Sequence, residues 1–115
     1  MAKTLQDIID DARVYIQDVD TPYRNDDAEM LSYLNSGIYE IYRIRPDYFT
    51  AYFDAGIPQF DESQLSEDYP IDQQTAIALT YFIAGNEEAK NDEDVLEGRA
   101  SGFINLFKAS LMGAA

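Results

Sequence analysis

Asp18, Asp20 and Glu29 stand at the first, third and twelfth places of the stretch DVDTPYRNDDAE. That spacing is the one at which an EF-hand loop offers oxygen ligands to calcium. Such a loop also needs an oxygen ligand at its fifth place and glycine at its sixth, where the chain must turn sharply. This chain has Pro22 and Tyr23 there. Acids at three positions are also unremarkable in a chain with 22 Asp plus Glu. The stretch is therefore expected to join two helices, and no metal is expected.

Other carboxylate pairs fare no better. Glu88 and Lys90 form an ExK pair of the kind seen in metal nucleases, with Pro46-Asp47 as its nearest companion motif. Residues two apart on a helix point to different faces, so the pair does not converge on one ion. Asp10-Asp11, Asp26-Asp27 and Glu87-Glu88 are adjacent pairs that diverge in the same way and read as solvated surface. The chain has no His and no Cys, which removes the commonest general base and the thiol nucleophile. No glycine-rich phosphate loop is present. No catalytic residue, cofactor or metal ligand is assigned.

The elements that must position any site follow from periodicity. At 115 residues the chain is expected to be one domain, residues 1–115, able to bury roughly two thirds of its unfolded surface. Hydrophobic residues make up 46% of it, too many for wholesale disorder. Leu5, Ile8, Ile9, Ala12, Ile16 and Val19 form a helical stripe over 4–19, opened by the capping-box pair Thr4 and Asp7 and closed by Pro22. Met30, Leu31, Leu34, Ile38 and Ile41 mark a second helix over 26–45, capped by Asn25 or Asp26 and stopped by Pro46. Gly37 inside it implies a close contact with another helix. Residues 46–71 read as a long loop, with a short hairpin or aromatic loop around Asp54-Ala-Gly56. A third helix over 72–90 is apolar nearly all round, with Ala76, Ile77, Thr80, Ile83 and Ala84 on one face. Part of its burial is expected to come from another subunit. Asn91 with Asp94 offers a cap for a fourth helix over 92–112, carrying Val95, Leu96, Phe103, Ile104, Phe107 and Leu111. The fold class is all-α, a small four-helix bundle with a long central loop or short hairpin between its second and third helices.

Charge and aromatic content bear on partners. A net charge of −14 repels nucleic-acid phosphates. No apolar run approaches the ~20 residues of a membrane span. The opening MAKTLQDIIDDA lacks an apolar signal core, so intracellular synthesis is expected. Nine Tyr and six Phe are many for so small a chain, and Tyr33, Tyr39, Tyr42, Tyr48, Tyr52 and Phe53 cluster in and after the second helix. Tyrosine joins a rigid apolar ring to a polar tip and is enriched at interfaces, so this cluster is a candidate contact surface as well as core.

The run PYRNDDAEMLSYLNSGIYEIYRIRPD resembles the signature of the small helical phage head-tail connector, or adaptor, proteins. Pro22, Tyr23, Arg24, Asp26, Leu31, Leu34, Asn35, Arg45, Pro46 and Asp47 carry the likeness; Asn25 stands where the family usually has an aromatic. The later run PIDQQTAIALTYFIAGNEEAKNDEDVLEGRASGFINLFKASLMG is similar to the same family in its helix, acidic turn, Arg-Ala pair and aromatic helix. The resemblance implies a structural virion protein, not an enzyme. It implies a ring of identical copies, commonly a dodecamer, under the portal protein and joined to a tail or nozzle protein. DNA passes through as cargo only, and no membrane is involved. The expected location is the virion neck, with the host cytoplasm during assembly. The interface candidates are Tyr23, Arg24, Asn35, Tyr39, Tyr42, Arg45, Asp47, Tyr48, Tyr52, Phe53 and Arg99. The rival reading is an acidic DNA mimic or inhibitor that fills a basic cleft on another protein.

Overall fold

Thr4 starts the first helix by reciprocal bonding. Its hydroxyl accepts from the Asp7 N–H at 3.0 Å, and the Asp7 carboxylate accepts from the Thr4 N–H at 3.0 Å. The next two free N–H groups, of Leu5 and Gln6, donate to the carbonyls of Glu67 and Leu65 at 3.0 and 2.9 Å. A distant segment thus completes a cap whose first half is local. In this computed structural model the described residues are 3–18, 25–91 and 97–112, and for residues 90, 91 and 97–100 the backbone alone is described.

Helix α1 is Leu5–Tyr15 and buries Leu5, Ile8, Ile9 and Ala12. It ends earlier than the expected Val19, and Pro22 is not what ends it. Gln17 takes a left-handed φ of 60°, its N–H donates to the Val14 carbonyl, and the Asp18 N–H reaches back to Arg13. This is a Schellman closure, normally formed around glycine.

Helix α2 is Asp27–Ile44, capped by Asp26, whose carboxylate accepts from the Glu29 N–H at 2.8 Å. Asp27 and Glu29 lie in its positive first turn. At its far end Arg45 leaves helical geometry, and Pro46 opens a 3-10 helix, Pro46–Tyr52. Gly37 meets the expectation of a close helix contact. A Cβ there would lie 2.6 Å from Leu79 Cδ2 and 2.9 Å from Phe82 Cδ2.

Of the long loop or short hairpin expected over 46–71, the hairpin is corrected and the loop is interrupted by short helical turns. After Pro46–Tyr52 comes a second 3-10 turn, Glu62–Gln64, and no strand occurs among the described residues. Pro46 presets the backbone for a turn. Phe49, which departs from helical dihedrals, is fully buried, its ring 5.5 Å from Tyr42 and 6.3 Å from Tyr52. Burying this ring draws the segment inward, where a hairpin would have projected it. Gly56, at φ +89°, redirects the chain. Beyond it, the Tyr69 N–H donates to the Lys3 carbonyl at 2.8 Å, next to an isolated bridge between Thr4 and Asp68.

Helices α3 (Gln73–Asn91) and α4 (Glu97–Leu111) pack against each other, and α3 also packs on α1 and α2. Its nearly all-round apolar character thus follows largely from burial within the chain. Ala76, Ala78, Leu79, Ile83 and Ala84 are buried on it. Ile77, expected on the buried face, is instead 49% exposed and lines a pocket between α1 and α3. The Asn91–Asp94 cap and the Val95 and Leu96 contacts lie outside the described residues. The architecture is all-α. Its Cα radius of gyration of 13.8 Å is close to the ~13 Å of a compact chain this long. Among the described residues no helix is long and apolar enough to cross a membrane.

Candidate interaction surfaces

The helix joint is held by a buried guanidinium. Arg13 is on the last turn of α1, and its side chain is 2% exposed. Its Nη1 donates to an Asp18 carboxylate oxygen at 3.0 Å and to the Asn25 carbonyl at 2.7 Å, and its Nη2 donates to Asp27 at 2.6 Å. The same Asp18 oxygen accepts from the Asn25 backbone N–H at 3.0 Å. One cation thus ties the end of α1 to the start of α2. Asp18, which opened the calcium-like spacing, faces an arginine.

Two other regions expose apolar rings. The first is a shallow pocket of about 430 Å³ between α2 and residues 59–62, lined by Leu31, Asn35, Tyr39, Phe60, Asp61 and Glu62 among others. A neighbouring pocket of about 440 Å³ is lined by Tyr42, Tyr52, Phe53, Gly56 and Ile57. Both lie along one seam where the segment after the 3-10 helix runs beside α2. Asn35 fastens that seam. Its side-chain N–H donates to the Phe60 carbonyl at 2.9 Å, and its Oδ1 accepts from the Phe60 N–H at 3.0 Å. Gln59 adds a bond from its side chain to the Asn35 carbonyl at 3.2 Å. Tyr39 is 50% exposed and Phe53 61%.

The second region is a pocket of about 560 Å³ between α1 and α3, lined by Lys3, Asp11, Val14, Tyr15, Ile77, Thr80 and Tyr81. Tyr15 and Tyr81 stack at 5.5 Å with their rings tilted by 56°. The Tyr15 hydrogen bond, together with burial, pushes the Tyr81 hydroxyl above the usual tyrosine pKa. Lys3 and Asp11 pair at the edge, leaving the rim without net charge. This groove was not foreseen. The available signal was that Val14 and Tyr15 are large apolar residues off the α1 stripe.

The expected interface residues divide accordingly. Tyr39, Tyr42, Tyr52 and Phe53 share the α2 seam, with Asn35 as its internal fastener. Arg45, Asp47 and Tyr48 form a separate cluster. Arg45 meets Asp47 through two bonds, at 3.0 and 2.9 Å, sits 4.8 Å over the Tyr48 ring, and donates to the Leu111 carbonyl at the end of α4. The Arg45 hydrogen bonds hold the Asp47 carboxyl below its usual pKa. The Arg-Pro-Asp run thus has an internal task, anchoring α4. Tyr23 and Arg24 lie outside the described residues, as does the side chain of Arg99.

No family model, curated protein or solved structure matches this chain. The described residues present two apolar patches on different element pairs, one with a neutral rim and one with an acidic rim.

Proposed function

We propose that this protein is a structural subunit of a phage head-tail connector, a four-helix unit that assembles as a ring, commonly twelve-fold, between portal and tail. The observation that carries the reading is the pair of unlike apolar surfaces. A connector subunit must meet both a neighbouring copy and a different protein, and two unlike patches allow both at once. A chain of net charge −14 has little reason to leave Ile77, Val14, Tyr39 and Phe53 exposed unless something covers them. The sequence resemblance of the runs at 22–47 and 70–113 supports the same reading.

The α1/α3 groove is the better candidate for contact between copies. Its rim is neutralised by the Lys3–Asp11 pair, so two acidic chains can approach there without facing acids directly. The acidic surface as a whole suits a channel that passes DNA without gripping it, since no counterions are released on contact.

Electron microscopy of the chain mixed with its cognate portal tests the proposal. An added ring on one face of the portal is expected. Bare portals at saturating protein would overturn it.

A further inference from the structure

The α2 seam differs from the α1/α3 groove in charge, and the difference indicates what covers it. Between Pro46 and Ala89 the sequence has no Lys or Arg. Asp54, Asp61 and Glu62 are exposed on the stretch that forms one wall of the seam, and the last two line the pocket beside Asn35 and Tyr39. The nearest cation on the facing helix, Arg43, is already paired with Glu40 at 2.8 Å. Exposed rings lie beside these acids: Tyr39 lines the same pocket as Asp61 and Glu62, and Phe53 precedes Asp54 in the chain. A second copy of this acidic chain would bring like charge onto like charge, which is costly at an interface. A guanidinium suits both components, because it stacks on tyrosine and phenylalanine faces and pairs with carboxylates.

We infer that the seam between α2 and residues 52–62 is a docking site for an arginine-rich segment of a different protein. The site is preorganised: Asn35 holds the Phe60 peptide by both its N–H and its carbonyl, so no loop must order on binding. The aromatic rings supply the contact area, and Asp54, Asp61 and Glu62 supply the charge that selects a basic partner over an acidic one. The inference rests on the connector reading only for where that partner sits in a particle. The chemistry of the seam stands without it.

The test is a titration of isotope-labelled protein, followed by amide NMR, with a short amidated peptide of alternating arginine and leucine. A peptide with glutamate in place of arginine is the control. Shifts are expected at Tyr39 and along 52–62, and the glutamate peptide is expected to leave them unmoved. Changing Tyr39→Ser and Phe53→Ser together keeps the charge and alters only exposed rings; it is expected to weaken binding about tenfold. Glu62→Gln is expected to weaken it about threefold, and more than Asp10→Asn, which removes the same charge from the exposed side of α1.

Shifts spread evenly over α1 and α3 would overturn the inference. So would equal effects of Glu62→Gln and Asp10→Asn, or unaltered binding by the double ring variant. The two readings also part company: portal-bound rings whose seam is bare would overturn this inference alone. Peptide held at the seam without rings on the portal would support it and overturn the connector reading.

Discussion

Arg13 and Tyr69 are the residues on which the interior depends most. Arg13 places a buried charge among Asp18, Asp27 and the Asn25 carbonyl, so truncating it leaves acids behind without their guanidinium. Breaking a buried pair from one side typically costs about 3–5 kcal/mol. Arg13→Ala should therefore lose about 3 kcal/mol or more in denaturant unfolding. Tyr69 is buried, its hydroxyl 2.7 Å from that of Thr75, and burial is the main cause that pushes its pKa up. A raised folded pKa contributes stability that is fully present below the ordinary tyrosine value of about 10 and is lost as pH rises beyond it. Tyr69→Phe should cost about 1 kcal/mol at neutral pH for the lost hydrogen bond. Above pH ~10 the wild type should fall faster than the variant, so the gap narrows; melts across that range would read it. None of this was legible in the sequence. Nothing in the sequence singles out Arg13, because its partners lie across a turn whose closure at Gln17 has no residue-type signal.

Elements were legible wherever their causes are local. Thr4 with Asp7, Asp26 before α2 and Pro46 after it act through neighbouring backbone, and all three stand where their chemistry indicates. The seam was not, because Asn35 finds its partner in Phe60, far along the chain; nor was the anchoring of α4, where Arg45 finds Leu111. The 3-10 helix at 46–52 was missed because Phe49 reads equally well as a strand residue until its burial is known. Gly37 shows a case in which sequence and packing agree. Gly37→Ala gains about 1 kcal/mol of helix propensity but drives a methyl into Leu79 and Phe82. Overpacking of this kind costs about 1–3 kcal/mol. A net loss of about 1 kcal/mol is expected by thermal unfolding, and a gain would mean α2 and α3 are not in the close contact described.

For the molecule as a whole, the central claim is that its two exposed apolar surfaces have different occupants. We propose an identical copy for the groove of Tyr15, Ile77 and Tyr81, and a basic partner for the seam of Tyr39 and Phe53. Charge separates the two, since one rim is balanced by Lys3 and the other carries acids alone. Five of the eleven candidates named from the sequence, Asn35, Tyr39, Tyr42, Tyr52 and Phe53, fall on the seam, because its aromatic residues are close together in the chain. The groove is assembled from two helices distant in sequence, so only the fold brings it together.

The most direct measurement is electron microscopy of the cognate portal mixed with wild-type protein and, separately, with Ile77→Asp. Because Ile77 is half exposed, Ile77→Asp should keep the wild-type circular dichroism. The account predicts rings for the wild type and none for the folded Ile77→Asp protein. Portals that stay bare with wild-type protein, or rings that form equally well with Ile77→Asp, would contradict it.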